Sequence, residues 1–585
     1  MFYFLPCFMF NTGSIPIDFN KLIKNISVYL GTSWMVIESS TYFIDRYYFS
    51  NIITEAIYII LAFGLFFVLL FQLKKAIAGK LFMLFQITNV SLAFLSVFWH
   101  VNGKELKNYN FFRTSETDIS IAVMPFYEAN KTEFNAPIAF SLHNEIISKL
   151  NSVGNIDVKS LSAVSYFKGK SYKPVDVAES LGVTNLIEGN IVFSDSTFHL
   201  TISLIDAHLQ SVIWTNTYVT NFSEILNFQT YLGLTIAEKL RSGLSEKEKE
   251  EFSTFPTQNI EAYNYYIRGR YNFNMWNPVN NRMAHDNFEK ATKLDPGFTE
   301  AYAYQAMTYT MFGGRWLGIM PDSAYRKVKF LIEKSFQYNP DDALAHFIMS
   351  QYMYFYERKF EEGVKLALLT FPKVKEPDDH VPFMALMLSF SGRANNAAIM
   401  LESYISKNPT SSMAHQAMCN TLLVDRKFEE AIWYGRKSME LDPSAIYNLY
   451  YIAECQLGLG NYEESLKTWE LLLSMFPYEL FVEGYFRTLY RAGHIEQAME
   501  QFNLLDSIAT MPFVKAKATA TMGDVEKTIE YLEQAYEVRD IEVLALWRET
   551  GFDSLRNNPE IKRMMKKFNL DYLEEKGLVF VPPKK

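Results

Sequence analysis

Residues 431–443 read AIWYGRKSMELDP, and their spacing decides the fold. Ala431, Gly435 and Ser438 stand at 0, +4 and +7, on one face of a helix, and Pro443 at +12 ends it. The general pattern is a small residue, a bulky one, a small or apolar one, then proline. It recurs as Ala284, Phe288, Ala291, Pro296 and as Val328, Ile332, Ser335, Pro340. It returns as Ala397, Leu401, Tyr404, Pro409 and as Ser465, Trp469, Leu472, Pro477. Two copies lack the proline (Ala498, Phe502, Leu505 and Thr528, Leu532, Ala535), and a degenerate one covers Phe360 to Thr370. The starts at 397, 431 and 465 are 34 residues apart. A small residue at the contact lets an antiparallel helix approach closely, and the preceding helices offer Ala385, Cys419, Ala453 and Ala516 in the matching place. Cys419 is therefore read as a packing residue and not a nucleophile.

A 34-residue period is that of the tetratricopeptide repeat. Each unit can bury its apolar face only against its neighbours, so 261–570 is expected to form an all-α right-handed solenoid of about eight units. Upstream, the periodicity changes. Asp118 to Phe126 (DISIAVMPF) is β-rich and stopped by Pro125, and Phe140 to Leu150 carries apolar residues at helical spacing. Ile156 to Val158, a helical Val175 to Leu181 and a strand at Thr184 to Glu188 follow. Gly189 to Phe193 and Phe198 to Ile205 alternate around a polar turn, a hairpin signal. Val212 to Val219 adds a strand and Glu224 to Arg241 a helix, which completes a small α/β domain over 118–243. Residues 101–117 and 244–260 read as linkers, with the run at 246–251 (EKEKEE) a solvated helix end, and 571–585 as a tail.

The first hundred residues differ from both. After a short lead (1–25), Ala56 to Leu73 and Leu81 to Trp99 within 26–100 are free of charge, each long enough as a helix to match a hydrocarbon layer of about 30 Å. Residues 25–44 form a third candidate span, carrying Glu38 at its middle. Lys74, Lys75 and Lys80 between the two spans, joined by Lys21 and Lys24, favour the cytoplasmic side. The expectation is a multi-pass protein of the bacterial inner membrane with its carboxy-terminal domains in the periplasm. The expected fold class is thus multidomain: transmembrane helices, a small α/β sheet domain and an all-α solenoid.

Composition narrows the function without naming it. The 585 residues are 49% hydrophobic and 21% charged with net charge −9, which argues against nucleic-acid binding by the whole chain and against disorder. Three cysteines (Cys7, Cys419, Cys455) make neither a disulfide framework nor a zinc site. Lys168-Gly-Lys-Ser171 contains GKS, but Val164 stands where a phosphate-binding loop needs its first glycine. The nine histidines, His199 and His208 included, show no metal-ligand spacing, and no GxSxG elbow occurs. Acid pairs such as Asp341-Asp342 and Asp378-Asp379 sit where solvated caps are the ordinary reading. No catalytic residue, cofactor or metal is expected.

Residues 119–241 resemble the TolB-like amino-terminal domain of bacterial membrane proteins with carboxy-terminal tetratricopeptide repeats. The matching pieces are Ile121-Ala-Val-Met-Pro-Phe126, Tyr166-Phe-Lys-Gly-Lys170, Ala178-Glu-Ser-Leu-Gly-Val183, Leu186-Ile-Glu-Gly189, LTISLIDA at 200–207 and Ile213-Trp-Thr215. Gly551-Phe-Asp-Ser-Leu-Arg-Asn-Asn-Pro-Glu560 with the basic helix after it is similar to the tail of such proteins. Many relatives add a nucleotide cyclase or a winged-helix domain, and this chain carries neither. The resemblance implies a membrane-anchored scaffold or sensor.

In a solenoid of this kind the first helix of each unit lines the concave groove. The outward positions of those helices include Gln416, Asn420, Tyr447, Tyr450, Glu454, Glu483, Arg487 and Tyr490, a set of rings, amides and charges suited to an extended peptide. The sequence therefore points to a non-enzymatic scaffold that binds protein or peptide partners at the cell envelope. The alternatives are a signal-transducing receptor whose α/β module senses a ligand, and an enzyme whose site leaves no motif.

Overall fold

The computed structural model describes residues 119–575 apart from 133–134, 154–155, 195, 242, 253–254, 375–379 and 477. Six strands form one sheet: β1 (Ile119–Val123), β2 (Tyr127–Glu128), β3 (Ile156–Val158), β4 (Asn185–Phe193), β5 (Thr197–Asp206) and β6 (Ser211–Asn221). The order is β3-β1-β4-β5-β6, with β2 continuing beside β4. β1 runs parallel to β3 and β4, and β4, β5 and β6 form an antiparallel meander. Alternation decides which face is covered. Phe198, Leu200, Ile202 and Leu204 of β5 are buried, whereas His199 and Thr201 between them face solvent. The covering layer is α1 (Ala136–Ser152) and α4 (Ile225–Leu240), while α2 (Leu161–Ser165) and α3 (Pro174–Leu181) form the crossover between β3 and β4. Gly189 is required on β4, because a Cβ there would lie 2.4 Å from the Phe126 ring.

The stretch read as a charged linker contains a short helix, α5 (Glu246–Phe252), whose last residue is buried against the module. Lys149 on α1 donates to its carbonyl at 2.7 Å. Eight antiparallel helix pairs follow among the described residues. They are α6 (Ile260–Phe273) with α7 (Pro278–Leu294), α8 (Thr299–Thr310) with α9 (Pro321–Tyr338), α10 (Ala343–Gln351) with α11 (Phe360–Thr370), and α12 (Val381–Leu388) with α13 (Ala394–Lys407). The series continues with α14 (Ser412–Val424) and α15 (Phe428–Leu441), α16 (Tyr447–Leu459) and α17 (Tyr462–Met475), α18 (Glu479–Arg491) and α19 (Ile495–Ile508), α20 (Pro512–Met522) and α21 (Val525–Glu537). This region is a helical array of the tetratricopeptide type.

Close approach explains the small residues. A Cβ on Gly484 would meet the Trp469 ring at 2.3 Å, and one on Gly435 would meet Cys419 Sγ at 3.1 Å. Cys419 is fully buried in that contact, and burial pushes its thiol up to about 12. Asp342, one of the paired acids, caps α10 by accepting from the Ala345 N–H, and Ser411 caps α14 in the same way.

One expectation is corrected. No helix among the described residues is long and apolar enough to cross a membrane. The longest, α9, has 18 residues but carries Asp322, Arg326, Lys327, Lys329, Glu333 and Lys334. The described helices are amphipathic elements of a packed array, whose polar faces could not be satisfied in hydrocarbon. The expected spans at 56–73 and 81–99 and the third at 25–44 lie outside the described residues, as do the lead and the first linker. The transmembrane part of the fold class, the membrane-embedded state and the multi-pass inner-membrane location with periplasmic domains rested on those spans alone, and are not carried further.

Candidate functional site: a cavity inside the helical array

The sheet module touches the array at two places far apart in sequence. At the first repeat, Ser141 of α1, Gln229 of α4 and Tyr263 of α6 close a buried triangle. Tyr263 donates to Gln229 Oε1 at 2.8 Å, Gln229 Nε2 donates to Ser141 Oγ at 3.1 Å, and the two hydroxyls are 3.2 Å apart. At the turn between α13 and α14, Asn408 Oδ1 accepts from the Ser160 N–H at 2.9 Å and Thr410 donates to the Ala163 carbonyl at 2.7 Å. Ser162 and Ser411 hydroxyls meet there at 2.7 Å. The module therefore bridges the inner curve of the array and borders a partly open cavity of about 830 Å3.

Its wall comes from three sources. The module supplies Phe126, Glu128, Phe140, His143, Tyr166, Lys168 and Lys170; the repeats supply Trp276, Tyr325, Gln351, Phe355, Phe383, Phe390, Gln416, Asn420, Tyr447, Tyr450 and Tyr451. Ile541, Glu542 and Arg548 after the last repeat close the far side. Burial pushes the Lys168 ammonium down and the Glu128 carboxyl up, the latter opposed by Lys131 and Lys168. Burial also holds His143 down at about 4, although its Nε2 lies 2.7 Å from the Val123 carbonyl oxygen. The Glu542 carboxyl is raised by burial and by Asp540 beside it.

Gln351 stands out in this wall. It is the last residue of α10, where the helix passes into a π-helical turn (Tyr352–Tyr356) that also holds Phe355. Its side chain is fully buried, and neither its amide oxygen nor its amide nitrogen has a hydrogen-bond partner. An amide left so costs roughly 1–3 kcal/mol per group. A second π-helical turn (Ser389–Arg393) follows α12 and carries Phe390, over which the Arg548 guanidinium sits at 4.7 Å. Both irregular turns line the cavity, a common placement for π-bulges.

The eight groove residues separate into two groups. Gln416 and Asn420, one turn apart on α14, and Tyr447 and Tyr450 on α16 line the cavity. Glu454, Glu483 and Arg487 do not: they are buried in an ion network. Arg487 donates to Glu483 and to Glu454, and Lys517 of α20 lies 2.8 Å from Glu483. Tyr490 is half-buried with its ring 5.9 Å from that of Phe486. The network is covered by the chain itself. Beyond α21, 3₁₀ turns at Ile541–Ala545 and Thr550–Phe552 lay residues 540–556 along the inner face. Arg426 grips Asp553 with two bonds of 2.7 and 3.0 Å, and Arg315 holds Asp540 at 3.1 Å. Arg491 donates to the Thr550 carbonyl at 2.5 Å, and Phe552 stacks on Phe513 at 5.8 Å. Burial opposes ionisation of Glu549, yet Lys517, Arg548, Arg487 and Arg426 hold its carboxyl down at about 2.

Gln351, Phe355, Phe390 and Arg548 were missed by repeat counting. The one signal was irregularity, since the repeat copy at 360–370 is degenerate and the segment at 551–560 falls outside the period. Lys168 and Lys170, noted for a phosphate loop they cannot make, belong to this wall.

Comparison with known proteins gives partial matches. The model of the HilA/YgeH-like transcriptional regulator, second domain, matches residues 117–233, and that of anaphase-promoting complex, cyclosome, subunit 3, matches 391–472. No curated protein sequence matches. Among solved structures the chain is similar to a monomeric mutant of IFIT1 with Gppp-AAAA (13% identity, 59% of this chain and 90% of that one, TM-score 0.40). PilW, a widely conserved type IV pilus biogenesis factor, is 17% identical over 37% of this chain and 94% of its own, with TM-score 0.28. TolB from Acinetobacter baumannii is 16% identical over 23% of this chain and 30% of its own, with TM-score 0.18. These likenesses assign no activity.

Proposed function

We propose that the chain is a non-catalytic binding scaffold whose inner face takes an extended segment of a protein partner. The observation that carries this reading is the cavity of about 830 Å3 with Gln416 and Asn420 on successive turns of one helix and Tyr447 and Tyr450 facing in from the next repeat. Amides at that spacing can pair with a peptide backbone, while the rings supply rigid apolar area. A volume of this size suits a short segment, as ligand cavities span roughly 300–1,000 Å3.

A displayed random-peptide library selected on the full chain tests the proposal. The expected result is a consensus that Gln416→Ala with Asn420→Ala abolishes, and that transfers to a free peptide protecting Tyr447 from modification. Selection without a consensus, or one indifferent to the double variant, overturns it. Gln351→Leu should raise the stability of the unliganded chain, because the uncompensated buried amide is gone.

A second reading is favoured by the match of 117–233 to the second domain of a transcriptional regulator. The module would then report occupancy of the cavity, to whose wall it contributes His143 and Lys168.

A further inference from the structure

β6 is an edge strand eleven residues long, and no strand lies on its outer side among the described residues. Proteins ordinarily protect such an edge with lysines, prolines or a very short strand. The opposite edge of this sheet follows that rule, since β3 has three residues. β6 does not: SVIWTNTYVTN contains no charge and no proline, and its side chains are exposed or half-buried throughout. Its single irregularity, a bulge opposite Leu204 and Ile205, lies near its start and leaves Trp214–Asn221 regular.

The sequence of β6 mirrors itself about Asn216. Thr215 matches Thr217 and Trp214 matches Tyr218, which spans the regular part of the strand on both sides of Asn216; the match ends at the bulge, where Ile213 has no partner on β5 and Val212 stands against Thr220. An antiparallel pair of identical strands related by a two-fold axis at residue 216 sets those partners opposite each other. We propose that β6 pairs with β6 of a second copy of this chain, joining the two sheets into one.

Both faces of the joined sheet support that register. On the open face, hydroxyl pairs already cross from β5 to β6, Thr201 to Thr217 and Ser203 to Thr215, each at 2.9 Å. Thr215 opposite Thr217 of the second copy continues this ladder across the joined strands. On the other face, the Tyr218 ring lies 5.8 Å from Tyr231 of α4, which is itself exposed. Trp214 opposite Tyr218 of the second copy extends that aromatic row. An uncharged strand sets no like charges against each other when a second copy pairs with it.

Two variants of the full chain test the pairing. The symmetric contact puts the two Asn216 Cα atoms about 4.5–5.5 Å apart, within disulfide range. Asn216→Cys in a Cys7→Ser background should therefore form a covalent dimer on mild oxidation, whereas Thr201→Cys on the interior strand β5 should not. In light scattering the unmodified chain should have twice the single-chain mass, and Thr215→Lys with Thr217→Lys should halve it by setting lysines face to face. Both lysines sit on exposed positions, and an unchanged far-ultraviolet circular dichroism spectrum with a cooperative melt shows that the variant folds. A single-chain mass for the unmodified protein, a dimer indifferent to the lysines, or equal cross-linking through residues 216 and 201 overturns the proposal. A foreign strand occupying β6, found as a second polypeptide in stoichiometric amount, overturns it too.

Discussion

The inner face of the array is two different surfaces built on one repeat. Along α10 to α16 it is lined by rings and amides around open volume. Along α16 to α20 the same kind of helix carries Glu454, Glu483, Arg487 and Lys517, and residues 540–556 lie over them. The difference follows from desolvation. Charges on a concave surface lose water as the curve closes and must find countercharges, which these residues supply to one another and which Glu549 of the covering segment adds. Rings and neutral amides carry a far smaller penalty, so that half leaves open volume between the repeats and the sheet module instead of closing on itself.

The contrast can be broken most forcefully at Glu483. Glu483→Ala strands Arg487 and Lys517 without their shared carboxylate and should cost about 3–5 kcal/mol, read by denaturant unfolding of the full chain. Peptide binding at Tyr447 should persist wherever the chain is folded; its loss in the folded variant would mean that the halves are one surface.

The open half should show itself in pH. His143 titrates at about 4 in the folded chain against 6.5 for the ordinary group. Between those values the unfolded chain holds the extra proton, so stability rises with pH across that window and is lost as pH falls through it. The contribution is about 3 kcal/mol. His143→Gln keeps a donor for the Val123 carbonyl and should flatten the profile of unfolding free energy between pH 4 and 6.5. An unaltered profile would remove His143 as its source.

The smallest effect sharpens the boundary between the halves. Asp553→Asn weakens the two-bond grip of Arg426 and should cost about 2 kcal/mol, with faster proteolysis within residues 540–556. Cleavage elsewhere in the array instead would show that this segment is integral to the repeats and not a cover.

Periodicity was legible because its cause is local. Ala431, Gly435 and Ser438 share one face on any helix, and all three are buried where α15 packs. The strands of the module were legible from alternation for the same reason. Half of the groove was not: Glu454, Glu483 and Arg487 occupy outward positions by any count along their helices, and only the return of a distant segment buries them. The helix register and the turn chemistry are properties of residues a few positions apart, so the sequence by itself determined the α/β module, the helical array and which residues face inward. Which part of that inner face stays open depended on contacts across long separations, such as Arg426 with Asp553 and Ser160 with Asn408. Only the tertiary structure decides those, because the energy of a buried charge or amide depends on what lies opposite it in space.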